Sequence, residues 1–282
     1  MYIKKFFIAI SFMASMSIRS QELNVMTFNV RYNNKNDSLN AWPYRKDNAA
    51  SQIRFHNVYI LGVQEALHEQ VMDLSQSLSQ YKYIGVGRDD GKTKGEYSAI
   101  FYDTTRLKLL GSSTFWLSLT PDIPGSKSWD AAITRIVTWA KFTDKRRNRT
   151  FFVFNTHFDH IGKEARRESA KLLQQRVKEI AGNYPVVITG DFNSKPSDDP
   201  IHIMTESTDK NKFIDTKAVS LTPHYGPQGT FNAFTSKEID NEPIDFIFLK
   251  GKWKVLQHAT LSQTWGGRFS SDHFPVFAKL SF

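Results

Sequence analysis

The chain has 282 residues, 40% of them hydrophobic, and a formal net charge of +9. That length and apolar fraction can fill one large β-rich or α/β core. The absence of cysteine excludes disulfides, thiolate metal sites and a cysteine nucleophile, and the basic balance favours anionic partners such as phosphates, nucleic acid or acidic glycans.

Residues 1–20 (MYIKKFFIAISFMASMSIRS) set Lys4 and Lys5 before an apolar run from Phe6 to about Met16. This is the pattern of a secretory signal, too short for a comfortable membrane span, with an uncleaved anchor as the competing reading. Cleavage is expected near Ser20, leaving a domain over 21–282 in the periplasm or the outside medium. Losing Lys4, Lys5 and Arg19 takes the charge from +9 to +6. No later segment is apolar for long enough to span a bilayer, and a monomer is expected.

Leu23 to Val30 alternates as a strand and delivers Asn29 at its tip. Trp42-Pro43-Tyr44-Arg45 opens a helix through about His56, with Pro43 tolerated in the first turn. Asn57 to Val63 is a buried strand that delivers Gln64 and Glu65, and a helix follows over about His68 to Gln80. Tyr81 to Gly87 is a strand. Glu96 to Tyr102 and Leu107 to Leu117 look like a hairpin pair, and Thr120 to Asp130 is a surface excursion. Ile133 to Phe142 and Thr150 to Thr156 form another strand pair, joined by the solvated tip Asp144 to Arg149 (DKRRNR). Lys163 to Ala181 is the longest helix, stopped by Gly182-Asn183.

Val186, Val187 and Ile188 then form a β-branched strand that ends at Gly190 and presents Asp191 and Asn193, two apart and so aimed together. A short helix near Pro200 to Glu206 and a long loop from Leu221 to Asn241 follow. Strands Ile244 to Leu249, Trp253 to Ala259 and Pro275 to Leu280 close the chain. There is no repeat or linker, so one domain is expected.

Polar, acidic or histidine residues stand at many of these strand ends: Asn29, Glu65, His157 with Asp159, Asp191 with Asn193, Asp245, and Asp272 with His273. Singly, each reads as a cap or an ion pair. A core has no use for so many, because an unpaired buried charge costs free energy. Metal-assisted attack of water on a phosphoester needs this mixture. Mg2+ wants oxygen ligands and keeps several waters, and Glu65 is the best candidate ligand, with Asp272 and Asn29 completing the shell. A histidine held by a carboxylate suits proton transfer, and His157, Asn193 and an arginine can donate to phosphoryl oxygens.

TFNVR, GVQEAL, FNTHFDH, TGDFNS, PIDFIFL and SDHFPV, in that order, resemble the endonuclease/exonuclease/phosphatase superfamily over about residues 22 to 282. The superfamily includes deoxyribonuclease I-like nucleases, apurinic endonucleases, neutral sphingomyelinases, inositol polyphosphate phosphatases and deadenylases. The resemblance implies an α/β fold, a four-layer α/β/β/α sandwich of two mixed β-sheets flanked by helices. It implies Mg2+ as cofactor, with Mn2+ as a substitute, held by Glu65 beside Asn29 and near Asp272. His273 is similar to the general base or phosphate-polarising histidine, oriented by Asp245. Asp191 and Asn193 look like the pair that positions the nucleophile and contacts the phosphate. His157 matches the second histidine, Glu96 the acid that pairs with it, and Arg135 a phosphate-contacting arginine. Asp159 can touch the site or cap the turn before the Lys163 helix.

Loop stretches such as LNAWPYRKDN, GRDDGKTKGEYSAIFY and GTFNAF resemble a secreted bacterial branch whose substrate the resemblance leaves open. Trp42, Trp129, Phe231, Phe234 and Trp265 stand on expected loops, where rings can stack on bases or sugars or simply pack the sandwich margins. The expected activity is a secreted Mg2+-dependent phosphoesterase cleaving a nuclease-type phosphodiester. The alternatives are an enzyme acting on phosphorylated glycans or lipid headgroups, and a non-catalytic binding module, which would require the metal ligands to be replaced.

Overall fold

Apolar runs buried on both faces build the two central layers of the computed structural model, which describes residues 22–206, 212–236 and 241–282. The expected leader lies outside the described residues. The first half of the chain contributes β1 (Leu23–Asn29), α1 (Lys46–Phe55), β2 (Ile60–Ala66), α2 (His68–Ser77), β3 (Tyr81–Ile84) and β4 (Tyr97–Asp103). The middle contributes β5 (Leu107–Trp116), β6 (Ile136–Asp144), β7 (Arg149–His157), α3 (Lys163–Ala181), β8 (Val186–Asp191) and α4 (Asp199–Thr205). The end contributes β9 (Ile214–Asp215), β10 (Asp245–Lys250), β11 (Lys254–Thr260), β12 (Thr264–Trp265), β13 (Arg268–Phe269) and β14 (Val276–Ser281).

One six-stranded sheet has the order β11-β14-β1-β2-β4-β3 and the other β5-β6-β7-β8-β10-β9. Each contains one parallel pair, β1 with β2 and β7 with β8. Parallel neighbours need a crossover, supplied by α1 in the first sheet and α3 in the second. Alternate side chains of β1 serve two cores. Leu23 and Val25 pack between the sheets with Ile60, Val153 and Val187, whereas Met26 and Phe28 pack under α1 and α2. The outer face of the second sheet packs Phe154, Ile188 and Phe248 under α3 and α4. The result is the expected α/β/β/α sandwich. No helix among the described residues is long and apolar enough to cross a membrane.

A polar cluster interrupts the apolar layer between the sheets. Gln64 donates to Thr27 Oγ1 at 3.0 Å and to Asn155 Oδ1 at 2.6 Å. Asn155 donates to the carbonyls of Val63 and Ala99 at 2.8 and 2.9 Å, and Thr189 donates to Asn155 Oδ1 at 3.0 Å. Both sheets contribute, so these bonds lock their relative register. Gly62 makes the approach possible, since a Cβ there would come within 2.1 Å of Thr189 Oγ1.

Several boundaries differ from the sequence reading. β4 and β5 do not form a hairpin: β4 pairs with β2 and β3, and β5 with β6 in the other sheet. The physical reason is burial, complete along β4 but alternating along β5, which stands at its sheet's edge. Buried Arg106 anchors the crossing by a two-pronged bond to Asp144 at 3.0 and 2.8 Å, so Asp144 does not share the solvation of the DKRRNR tip. Trp42–Tyr44 forms a separate 3-10 turn before α1. β2 begins three residues later than expected, because Asn57 turns at φ +48° after α1.

Replacing Asn155 with Ala strands two carbonyls and the Gln64 amide, so a loss of about 3 kcal/mol is expected. A urea midpoint unchanged from wild type would refute the locking role. A second expectation concerns His258, whose Nδ1 lies 2.9 Å from His224 Nδ1. Burial first, then His224, lowers its pKa from 6.5 to about 3. Between those values the unfolded chain binds a proton that the folded chain refuses, so this term of stability falls as pH drops from about 6.5 towards 3. His258→Gln should flatten that part of the stability–pH profile measured by thermal melts.

Candidate active site

The strand directions bring the polar tips to one edge. Parallel pairing sets Asn29 opposite Gln64 and His157 opposite Asp191. Antiparallel β10 starts at the same edge and sets Asp245 opposite Asp191. Antiparallel β14 pairs Val276 with Thr27, so the Ser271–Phe274 segment arrives beside the end of β1.

Backbone geometry turns the side chains inward. β2 carries an irregularity between Val63 and Ala66, and Glu65 within it has φ +63°. Arg31 and Asn193 also take positive φ, +57° and +45°. Left-handed conformations in non-glycine residues cost about 1–2 kcal/mol each and cluster where the surroundings enforce them for function.

Asn29 joins the two sheets at the site. Its Nδ2 donates to Glu65 Oε1 and to Asp191 Oδ2, both at 2.9 Å, while its Oδ1 accepts the Arg31 N–H. Tyr32 N donates to the other Glu65 oxygen at 3.2 Å. Glu65, Asp191 and His273 each offer a ligand atom within 4.8 Å of the others. Asp272, expected in the metal shell, is outside this trio. It accepts from Ser271 Oγ at 3.2 Å and faces Arg31 Nε at 3.7 Å.

Burial, then Asp245, pushes the Asp191 carboxyl up to about 7, and burial also raises Asp272, with Glu65 adding to it. Crowded, desolvated carboxylates with oxygen donors form a set that fits a hard divalent cation.

The two histidines are held in opposite charge states. His273 Nδ1 lies 2.9 Å from Asp245 Oδ2. Burial alone would lower its pKa, but Asp245, Asp191 and Asp272 outweigh that and hold it well above the ordinary value. His157 Nε2 lies 3.0 Å from Asn193 Nδ2, which also donates to Phe158 O. Burial, then Arg135 and Arg88, hold His157 well below its ordinary pKa, so the ring is neutral. With Nε2 accepting from Asn193, its proton sits on Nδ1.

Glu96 differs from the sequence reading. Its carboxylate is taken by Arg88, at 2.5 and 3.0 Å, rather than by His157. Arg88 was not legible as a site residue because it lies in a Gly- and Lys-rich loop; the loop is fixed by Trp116 Nε1 donating to Arg88 O at 2.6 Å. Buried Arg135 reaches His160 Nδ1 at 3.1 Å and Asp159 at 3.7 Å. Asp159 caps the turn, accepting the N–H groups of Ala132, Ile133, Ile161 and Gly162 at 2.7–3.2 Å. His157 Nδ1, Arg135 Nε and Nη1, and Arg88 Nε are buried without a hydrogen-bond partner among the described residues, and all three side chains line one small recess.

Two supports were missed in the sequence, and one of the loop aromatics singled out there proves to be a third. Arg45 is buried and donates to the carbonyls of Val30, Arg31, Asn40 and Ser270, tying β1 to the Asp272 segment. Thr230 Oγ1 accepts the N–H groups of Ile244 and Asp245 at 3.0 and 3.2 Å. Phe231 bridges to His273 and stands edge-on to its ring at 5.1 Å. A reversed signal marks Arg45, an arginine following an aromatic Trp-Pro-Tyr run with no acid beside it.

Comparisons with known proteins agree with this fold. The structure superposes on an endonuclease/exonuclease/phosphatase from Bacteroides vulgatus with TM-score 0.88 and 42% identity, covering 93% of this chain and 99% of that one. It matches a Bacteroides thetaiotaomicron mannosyl-6-phosphatase with TM-score 0.87 and 39% identity, covering 92% and 100%. An uncharacterized protein of Acanthamoeba polyphaga mimivirus is 28% identical over 165 residues, 56% of this chain. The chain spans 61% of the length of that relative. The sequence pattern of the Endonuclease/Exonuclease/phosphatase family matches residues 26–273, from β1 to the histidine before β14, and the chain belongs to that family of phosphoester-hydrolysing enzymes.

Proposed function

We propose that the chain is a divalent-cation-dependent phosphomonoesterase that removes phosphate from a phosphorylated sugar, with Mg2+ as the working ion and Mn2+ as a substitute. The observation that carries this reading is the 39% identity to a mannosyl-6-phosphatase over 92% of the chain. Cleavage of a nucleic-acid diester has weaker support. Trp42 is 1% exposed with its Nε1 on Asp73, so it offers no face for a base. The basic DKRRNR tip stands at the opposite end of β7 from His157. Export through the leader read at residues 1–20 would bring the enzyme to sugar phosphates outside the cytoplasm.

Each residue has a role that follows from its environment. Glu65 would hold the cation, with Asp191 in reach and Asn29 and Asp272 completing the surroundings. Bound there, the ion supplies a Lewis acid for the phosphoryl oxygens and lowers the pKa of a coordinated water. Asp191, whose carboxyl burial raises, is placed to accept the proton of the attacking water. Asn193 N holds one Asp191 oxygen at 2.9 Å and Asn29 the other, which fixes the base in place. His273 is cationic, so it donates to developing charge on the phosphoryl group rather than removing a proton. Asp245 orients the ring and keeps it charged. The Asn193 amide, spent on His157 and on Phe158 O, holds that histidine in place, and Arg135 lines the adjoining recess with it.

Purified protein with Mg2+ should release inorganic phosphate from mannose 6-phosphate, and EDTA should abolish the release. His273→Ala and Asp191→Asn should each lower kcat by at least about 100-fold. Nicking of supercoiled plasmid with no phosphate released from any sugar phosphate would overturn the reading. Metal binding gives a separate check. Glu65→Gln should weaken Mn2+ affinity in calorimetry at least about tenfold, whereas Asp245→Asn, one step removed from the ion, should change it less.

A further inference from the structure

A second cleft lies outside the catalytic edge, where the end of α1 meets β11, the β12–β13 hairpin and the 222–225 loop. It has two contiguous halves of about 400 and 360 Å3 that share Phe55, His56 and Gln263. In a chain of net charge +9, no lysine, arginine, aspartate or glutamate lines either half. The charge complementarity of the cleft is therefore to an uncharged ligand, unlike that of the phosphoester site.

Its chemistry is that of aromatic faces beside planar amides and hydroxyls. Phe55 and Tyr225 are 79% and 71% exposed, and Trp265 is partly exposed. Gln52 is buried and aimed at Gln263, donating to its Oε1 at 3.1 Å while accepting from Ser270 Oγ at 3.2 Å. Gln263 itself is exposed at the rim, which leaves its amide N–H groups open to a ligand. His56 lines both halves, and its Nε2 is buried without a hydrogen-bond partner among the described residues. Burial lowers its pKa, so the ring brings no charge to the cleft. Aromatic rings present a broad apolar face with polar edges, and the C–H face of a pyranose fits it while amides satisfy the equatorial hydroxyls.

We propose that this cleft binds a neutral saccharide, separate from the phosphate that the catalytic edge accepts. The hairpin forming one wall continues through Ser270 to Asp272 and His273, so a glycan held here lies along the same segment as the catalytic residues. The inference does not depend on the catalytic reading: a chain inactive on every sugar phosphate can still bind a neutral sugar at this position.

The test is titration of the whole protein with α-linked mannotriose and with cellotriose, followed by NMR of the tryptophan indole N–H signals. Trp265→Phe assigns the reporting signal. Saturable binding of either sugar with a shift of the Trp265 signal is expected. Phe55→Ala and Gln263→Ala, at exposed positions, should each weaken binding about two- to tenfold and leave p-nitrophenyl phosphate hydrolysis unchanged. Three outcomes would overturn the proposal. One is no saturation by either sugar, and another is binding untouched by both variants. The third is sedimentation showing a dimer that Phe55→Ala dissolves, which would make the patch a contact between copies.

Discussion

The site depends on one constraint, the hydrogen-bonded cluster of Thr27, Gln64, Asn155 and Thr189 between the two sheets. Apolar sheet faces slide, because dispersion and hydrophobic burial have little direction. Directed bonds from Asn155 to carbonyls of β2 and β4, received from a strand of the opposite sheet, do not. A buried polar network tolerates few alternative arrangements, since each partner left unpaired costs the full desolvation of its group. Gly62 clears the space that this close approach requires. The cluster lies just beneath the strand ends, so the registry it enforces is inherited by Asn29, Glu65, His157 and Asp191.

Above that lock the site is an arrangement of buried charges whose states are set by neighbours. Asp245 and the other carboxylates keep His273 cationic, and the arginines behind His157 keep that ring neutral. Two identical side chains, 3.4 and 3.8 Å from Asp191 Oδ2, thereby acquire different chemistry. Asn29 spans Glu65 and Asp191 with one amide nitrogen, which separates the two carboxylates and joins the sheets in the same contact. Arg45 performs the comparable task in the backbone, gathering carbonyls from the residues just after β1 and from the segment that carries Asp272.

Much of this was legible in the chain. The end of the helix Lys163–Ala181 followed from Gly182-Asn183, and the strand end at Asp191 followed from a polar pair after a β-branched run. What escaped was partner choice. Glu96 was readable as an acid at a strand entrance, yet its ion pair is with Arg88, which a loop packed under Trp116 delivers. The β4–β5 pairing failed for a related reason: two adjacent strands with a short connection usually pair, but Arg106 and Asp144 carry the chain across to the other sheet. Trp42 read as a loop aromatic and proved a core residue, because the turn before α1 folds its ring onto the helices of the first sheet.

The sequence by itself pointed to phosphoester hydrolysis and to the groups that meet at one edge of the sheets, because carboxylates, histidines and amides at strand ends are chemically expensive to bury and keep a recognisable order. The sandwich was implied by the resemblance of the ordered motifs to the superfamily, and the apolar runs are long enough to be covered on both faces. Only the tertiary structure decided which histidine is charged, which acid meets which base, and where a cleft without charged lining opens beside the β12–β13 hairpin. Those properties arise from distances between residues far apart in the chain, and electrostatic free energy depends on those distances and on burial, neither of which local sequence encodes.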